Sequence, residues 1–279
     1  MVRNVGQRIV DSGNLLFFPY LFYFLCLLFL STNLQALEAP DSGLSKRGIE
    51  KPVNAHALMS AAIDQTRGLS SYVELKMVIH RPDWERSSQL KSWTEGRGNA
   101  LVRFTAPAKD AGNATLKLAE KVWTFTPKLN RVIRLPFSLM SQSWAGSDFS
   151  YNDLSRTDNL LHQYDLSIVN TVSEGDHTIY TVRAIPKENA PVVWGKEEML
   201  IRDDYVLLEQ TFFDQDMQAF KRMETLEVGE LGGRTFGIRM RMYKLEEPER
   251  WTELEYLSAN FDIDLKNNMF TLFSLKSGN

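Results

Sequence analysis

Residues 131–154 read RVIRLPFSLMSQSWAGSDFSYNDL, and the way this stretch changes character decides the fold. Arg131, Ile133 and Leu135 alternate with Val132 and Arg134, the period of a strand with unlike faces. Pro136 ends that strand, because a proline cannot donate to a central ladder. Phe137, Leu139, Met140 and Trp144 follow as apolar side chains outside any strand pattern. Gly146, Ser147 and Asp148 then reset the chain before Phe149, Tyr151, Asp153 and Leu154. A hairpin needs only a few connecting residues. So long an apolar link is either a core plug or a cover over a cavity.

Upstream, the same period-two signal recurs in short segments: 71–80, 86–95, 99–105, 113–119 and 121–126. Their connections, 96–98, 107–112 and 127–130, are turn-like and contain Gly, Pro or Asn. Before them, Ala55, Leu58, Met59, Ala62 and Ile63 fall at helical spacing, with Asn54 placed to cap and Gly68 to stop one amphipathic helix. Downstream, 156–163 reads as a short helix. Strands follow at 164–170, 178–185, 194–202, 206–213, 220–228, 235–244 and 251–258. The tail, 264–275, reads as a short helix or closing segment. The expected class is mostly β (α+β): a strongly curved antiparallel sheet, or half-open β-barrel, of roughly ten to eleven strands covered by a few helices.

Composition sets the outer bounds. Of 279 residues, 43% are hydrophobic and 24% charged, an ordinary globular balance. The formal net charge of -3 offers no basic field for nucleic acid. Arg3 and Arg8 precede the apolar run Leu15–Leu30, and Ala36 and Ala39 follow as small residues at which processing could occur. Residues 1–39 are therefore expected to be a signal peptide, with a retained inner-membrane anchor as the other reading. Residues 40–52 read as a linker and 53–279 as a single domain. The one cysteine, Cys26, lies inside the apolar run, so the mature chain is expected to carry no disulfide, thiol nucleophile or cysteine metal site.

The strand ending in RVIRLP, followed by GSDFSYNDL, resembles the LolA-like outer-membrane lipoprotein-sorting proteins. The resemblance runs over the whole mature region, from the first helix near Val53 to FTLFSL. It implies a half-open barrel with a helical lid, working in the periplasm as a carrier of lipoprotein acyl chains or other lipid. The implied partners are an inner-membrane transporter and an outer-membrane acceptor. In that family a strand arginine helps to hold the lid shut, a role the resemblance does not assign to any one position here.

On this reading Leu116, Leu118, Trp123, Phe125, Met240 and Met242 are expected to wall an apolar cavity. Phe137, Leu139, Met140 and Trp144 would form its cover, and Gly146, Ser147, Asp148, Phe149 and Asp153 the hinge. Arg103, Arg134, Arg239 and Arg241 recur within strands and read as solvated outer-face charges, since inward charge is costly without a partner. Asp148 is expected to cap a turn or helix, and Asp153 to pair with an arginine.

Signals for covalent chemistry are weak. His56, His80, His162 and His177 stand at element ends with no ligand spacing between them. The pairs Asp203/Asp204, Asp214/Asp216 and Asp262/Asp264 fall where aspartate favours turns. No metal, no cofactor and no enzymatic activity are expected. Two other readings stay open: a non-carrying accessory of an inner-membrane exporter of the resistance–nodulation–division or ABC type, and an enzyme acting on lipid or envelope polymer.

Overall fold

The computed structural model describes residues 53–155 and 158–277. The expected signal segment and linker, with Cys26, lie outside the described residues.

Helix α1 (Ala55–Arg67) starts where the Asn54 side chain accepts the Ala57 N–H at 3.0 Å, and it stops at Gly68, whose φ of 62° suits only a residue without Cβ. Six strands then meander: β1 (Ser70–Arg81), β2 (Trp84–Glu95), β3 (Asn99–Ala106), β4 (Ala114–Leu118), β5 (Lys121–Thr126) and β6 (Arg131–Arg134). Past residues 135–150 come two short helices, α2 (Tyr151–Ser155) and α3 (Asn159–His162). Seven strands follow: β7 (Tyr164–Glu174), β8 (His177–Pro186), β9 (Lys196–Arg202), β10 (Leu207–Phe213), β11 (Ala219–Leu231), β12 (Arg234–Lys244) and β13 (Trp251–Phe261). Helix α4 (Leu272–Ser277) closes the described chain.

All thirteen strands belong to one antiparallel sheet, in the order β6-β5-β4-β3-β2-β1-β13-β12-β11-β10-β9-β8-β7. The class is as expected, and the sheet is larger than the roughly ten or eleven strands anticipated, because every alternating segment pairs. The first strand lies beside the last, and the two open edges, β6 and β7, are consecutive in sequence. Residues 135–163 therefore run from one edge of the sheet to the other. A sheet this wide curls, and bulges such as those at Glu74/Leu75 and Thr225/Glu227 add twist.

Cross-strand register sorts the side chains into two faces. Leu101 lies opposite Leu116, and Leu116 opposite Trp123, so these three share one face. Val102, Thr115 and Thr124 share the other. Helix α1 packs Leu58, Met59 and Ile63 against Val182, Met199 and Ile201 of β8 and β9. Helix α4 lies over β4 and β5, where Met269 and Leu275 cover Leu101, Leu116 and Phe125. The sheet is thus covered on both faces, by different parts of the chain.

Candidate ligand cavity

A cavity of about 310 Å³ lies against one face of the sheet. Val73 and Leu75 of β1, Leu90 of β2, Val102 of β3, Phe212 of β10, Met223 of β11, Met240 and Met242 of β12 and Leu254 of β13 contribute to its wall. Met59, Ala62 and Ile63 of α1 line it from the helical side, and Trp144, Phe149, Leu154 and Leu160 from the edge-to-edge link. Most of the wall is aliphatic or aromatic carbon, which favours an apolar occupant.

The link is pinned at several points. Ser143 pairs with Ser150, and the Trp144 N–H donates to the Phe149 carbonyl at 2.8 Å. Between them Ala145 and Gly146 both have positive φ, 52° and 76°, the backbone of a tight hairpin turn. The turn drives the Trp144 ring inward, where it packs on Phe104 and its indole N–H donates to Thr115 Oγ1 at 3.1 Å. Asp148 is gripped by Arg81, whose two terminal nitrogens donate to it at 3.0 and 3.1 Å. Helix α2 begins with a reciprocal cap: Asp153 Oδ2 accepts the Ser150 N–H at 2.6 Å, and Ser150 Oγ accepts the Asp153 N–H at 3.2 Å. The two aspartates thus exchange the roles read from sequence. Asp148 takes the arginine, and Asp153 takes the cap together with Lys221, whose ammonium lies 2.5 Å away.

One wall of the cavity is polar. Asn152, Asp153, Trp194, Glu197 and Gln210 all border it. Gln210 donates to Glu197 at 2.6 Å, and burial pushes the Glu197 carboxyl up to about 7. Lys221 sits 4.9 Å from the Trp194 ring and 4.7 Å from the Phe212 ring, so its charge is held by a carboxylate and two aromatic faces. Elsewhere on the wall, Arg67 donates to the carbonyls of Gly96 and Asn99, and burial lowers its pKa.

Of the expected wall residues, Met240 and Met242 line the cavity. Leu116, Leu118, Trp123 and Phe125 instead lie on the opposite face of the sheet, in the cluster closed by Met269, Phe270 and Leu275. The tail packs over them. Of the expected cover, Trp144 lines the cavity. Met140 is buried, Leu139 is half-buried and Phe137 is exposed, and Phe137 and Met140 border a shallow surface groove with Arg134 and Leu135. Of the expected hinge, Phe149 and Asp153 line the cavity, and Ser147 is buried and bonded to the Trp144 carbonyl at 2.7 Å. Within the link, the residues that line the cavity run from Trp144 to Leu160.

Arg103 corrects a second expectation. It is buried beneath the tail, donating to the carbonyls of Ser274 and Leu275, rather than solvated. Arg239 and Arg241 pair across strands with Glu227 and Glu253. The polar wall residues Asn152, Glu197 and Gln210 escaped sequence reading. Glu197 and Gln210 sit on ordinary strands, and only register brings them to α2.

The structure gathers His177, Asp203 and Asp204, which the sequence spacing did not pair. His177 Nδ1 lies 2.8 Å from Asp203, and Asp204 is held by Arg202. The group is partly exposed, at a strand-end turn. Asp214 accepts the N–H groups of Asp216 and Gln218, the turn role expected of it.

The same architecture occurs in solved structures. A DUF1329 family protein from Desulfovibrio piger superposes with a TM-score of 0.70 at 19% identity, covering 79% of this chain and 98% of its own. A domain described as an outer membrane lipoprotein-sorting protein, from Vibrio parahaemolyticus, gives 0.68 at 19% identity, covering 80% and 100%. A LolA superfamily protein from Nitrosomonas europaea gives 0.67 at 20% identity, covering 80% and 99%. Comparison with curated proteins gives no match. A family model described as "-like: Uncharacterized protein" matches residues 96–277, and the chain belongs to that family, on a fold shared with the LolA superfamily.

Proposed function

We propose that the protein is an exported carrier that holds the acyl chain of a lipoprotein, or another lipid, in the cavity and moves it between the inner and outer membranes. The observation that carries this reading is the apolar cavity itself, walled by strands from both halves of the sheet and roofed by α1 and the link. Its volume, about 310 Å³, is at the lower end of small-molecule sites, which run from roughly 300 to 1,000 Å³. Burying a methylene is worth about 0.8 kcal/mol, so a chain of about sixteen carbons gains on the order of 10 kcal/mol without any strong polar contact. The basic, apolar and small-residue order of residues 1–39 supports export. The cargo would come from an inner-membrane transporter and pass to an outer-membrane acceptor when the link from Trp144 to Leu161 moves aside. The carrier reading assigns no covalent step to the protein.

The test is native mass spectrometry with organic extraction on protein purified without detergent. A reproducible lipid adduct, lost in Met240→Asp and kept in Leu118→Asp on the opposite face, is the expected result. Protein that carries no adduct and ignores added lipid would overturn the carrier reading.

A further inference from the structure

The apolar wall accounts for a lipid tail but not for the polar wall. Burying polar groups beside an apolar cavity is costly unless they find partners. Three side-chain atoms there have none: Asn152 Oδ1, Asp153 Oδ1 and the Trp194 indole N–H. All three residues border the cavity, and all three side chains are about nine-tenths or more buried. They are neighbours. Asn152 and Asp153 are adjacent on α2, and Lys221 touches both Asp153 Oδ2 and the Trp194 ring.

We propose that this wall binds the head group of the amphipathic cargo, and that the head is uncharged and carries adjacent hydroxyl groups. The inference rests on the carrier reading and adds the chemistry of the head. A hydroxyl both donates and accepts. Two of them can donate to the Asp153 and Asn152 oxygens while a lone pair accepts the Trp194 N–H. The three atoms are covered by their neighbours, so the head reaches them through a small side-chain adjustment at this wall.

Charge selects among heads. The cation at this wall, Lys221, is already committed to Asp153. Glu197 stands behind it with Gln210, on a carboxyl that burial holds near neutrality. An anionic head would meet Asp153 here, and Arg67, the other cation bordering the cavity, is turned to the Gly96 and Asn99 carbonyls. An ammonium head could donate to Asp153 but could not accept from Trp194. Hydroxyls answer all three atoms. A glycerol head and a sugar head share this chemistry.

The test is isothermal titration calorimetry on the detergent-free protein with four probes: monopalmitoylglycerol, a long-chain alkyl glucoside, palmitate and methyl palmitate. Two variants accompany the parent: Asn152→Leu, and Trp194→Phe, which deletes the N–H and keeps a ring against Phe212. The expected result is that one or both hydroxylated probes bind about tenfold or more tighter than palmitate and methyl palmitate. That preference should collapse in both variants, the hydroxylated probes losing about tenfold more affinity than methyl palmitate, and thermal unfolding of each variant should report that it is folded. Tighter binding of the glyceride or of the glucoside identifies the source of the hydroxyls. Equal binding of all probes, a preference for palmitate, or variants that leave the preference intact would overturn the head site and leave the carrier reading standing. Failure of every probe to bind would overturn both.

Discussion

Arg81 and Asp148 face each other through two guanidinium donors at 3.0 and 3.1 Å, with only 9% and 11% of their side chains exposed. Thr252 completes the clasp, donating its hydroxyl to the same carboxylate at 2.6 Å and accepting the Asp148 N–H at 3.0 Å. The clasp joins the turn of the edge-to-edge link to β1 and β13, the two strands at the centre of the sheet. Bidentate pairing fixes direction as well as distance, so the clasp also fixes the approach of Trp144 and Phe149 to the cavity.

Removing one partner from such a pair leaves a buried, uncompensated charge. Asp148→Ala is therefore expected to destabilise the protein by about 3–5 kcal/mol. Thermal unfolding should show a melting temperature lower by roughly 10 °C. Replacing both partners, Arg81→Met with Asp148→Leu, should recover most of that loss, because neither charge is then stranded. A double variant as unstable as Asp148→Ala would mean that the Thr252 and backbone contacts, not the ion pair, hold the turn.

Glu197 gives a pH dependence with a definite sign. Its carboxyl is raised from 4.5 to about 7, by burial first and against the hydrogen bonds from Gln210 and Tyr164. The native protein thus keeps a proton that the unfolded chain has already released. Between about pH 4.5 and 7 stability falls as pH rises, and above 7 the penalty is complete. Glu197→Gln keeps an acceptor for Gln210 and removes the titration. In urea unfolding at pH 5 and pH 8, the variant is expected to gain about 2–3 kcal/mol on the parent between the two pH values. Parallel pH profiles would show that the carboxyl titrates normally in the folded protein.

The sheet was legible because its signal is local. Each strand announces itself by alternation, each turn by Gly, Pro or Asn, and the α1 boundaries by Asn54 and Gly68. Which face of the sheet surrounds the cavity is not local. In β4, Ala114, Leu116 and Leu118 alternate with Thr115 and Lys117, and an apolar face reads as the inner one. Here the apolar face turns outward and is covered by a tail about 150 residues further along the chain. The inner face keeps Thr115 for the Trp144 N–H and Lys117 for the Arg97 carbonyl and Asp158. Met240 and Met242 were read correctly as neighbours of one another, and β13 and β11 on either side carry them to the cavity. The polar wall was illegible for the same reason, since α2 meets β9, β10 and β11 only after the link has crossed between the sheet edges.

The two faces can be told apart by experiment. Leu116 is fully buried on the outer face among Leu101, Phe125, Met269 and Leu275. Leu116→Ala deletes buried methyl groups from that cluster and is expected to cost about 3 kcal/mol, with the spread set by how far the tail can settle into the gap. Leu275→Ala attacks the cluster from the tail side, so the two losses should be less than additive when combined. Neither residue borders the cavity, so both variants should bind a lipid probe with the affinity of the parent wherever they remain folded. Met240→Ala is the converse: half-buried at the cavity wall, it should cost little stability and weaken lipid binding by several-fold. Equal effects of Leu116→Ala and Met240→Ala on binding would mean that lipid occupies the outer face and that the tail, not the link, is the part that yields to it.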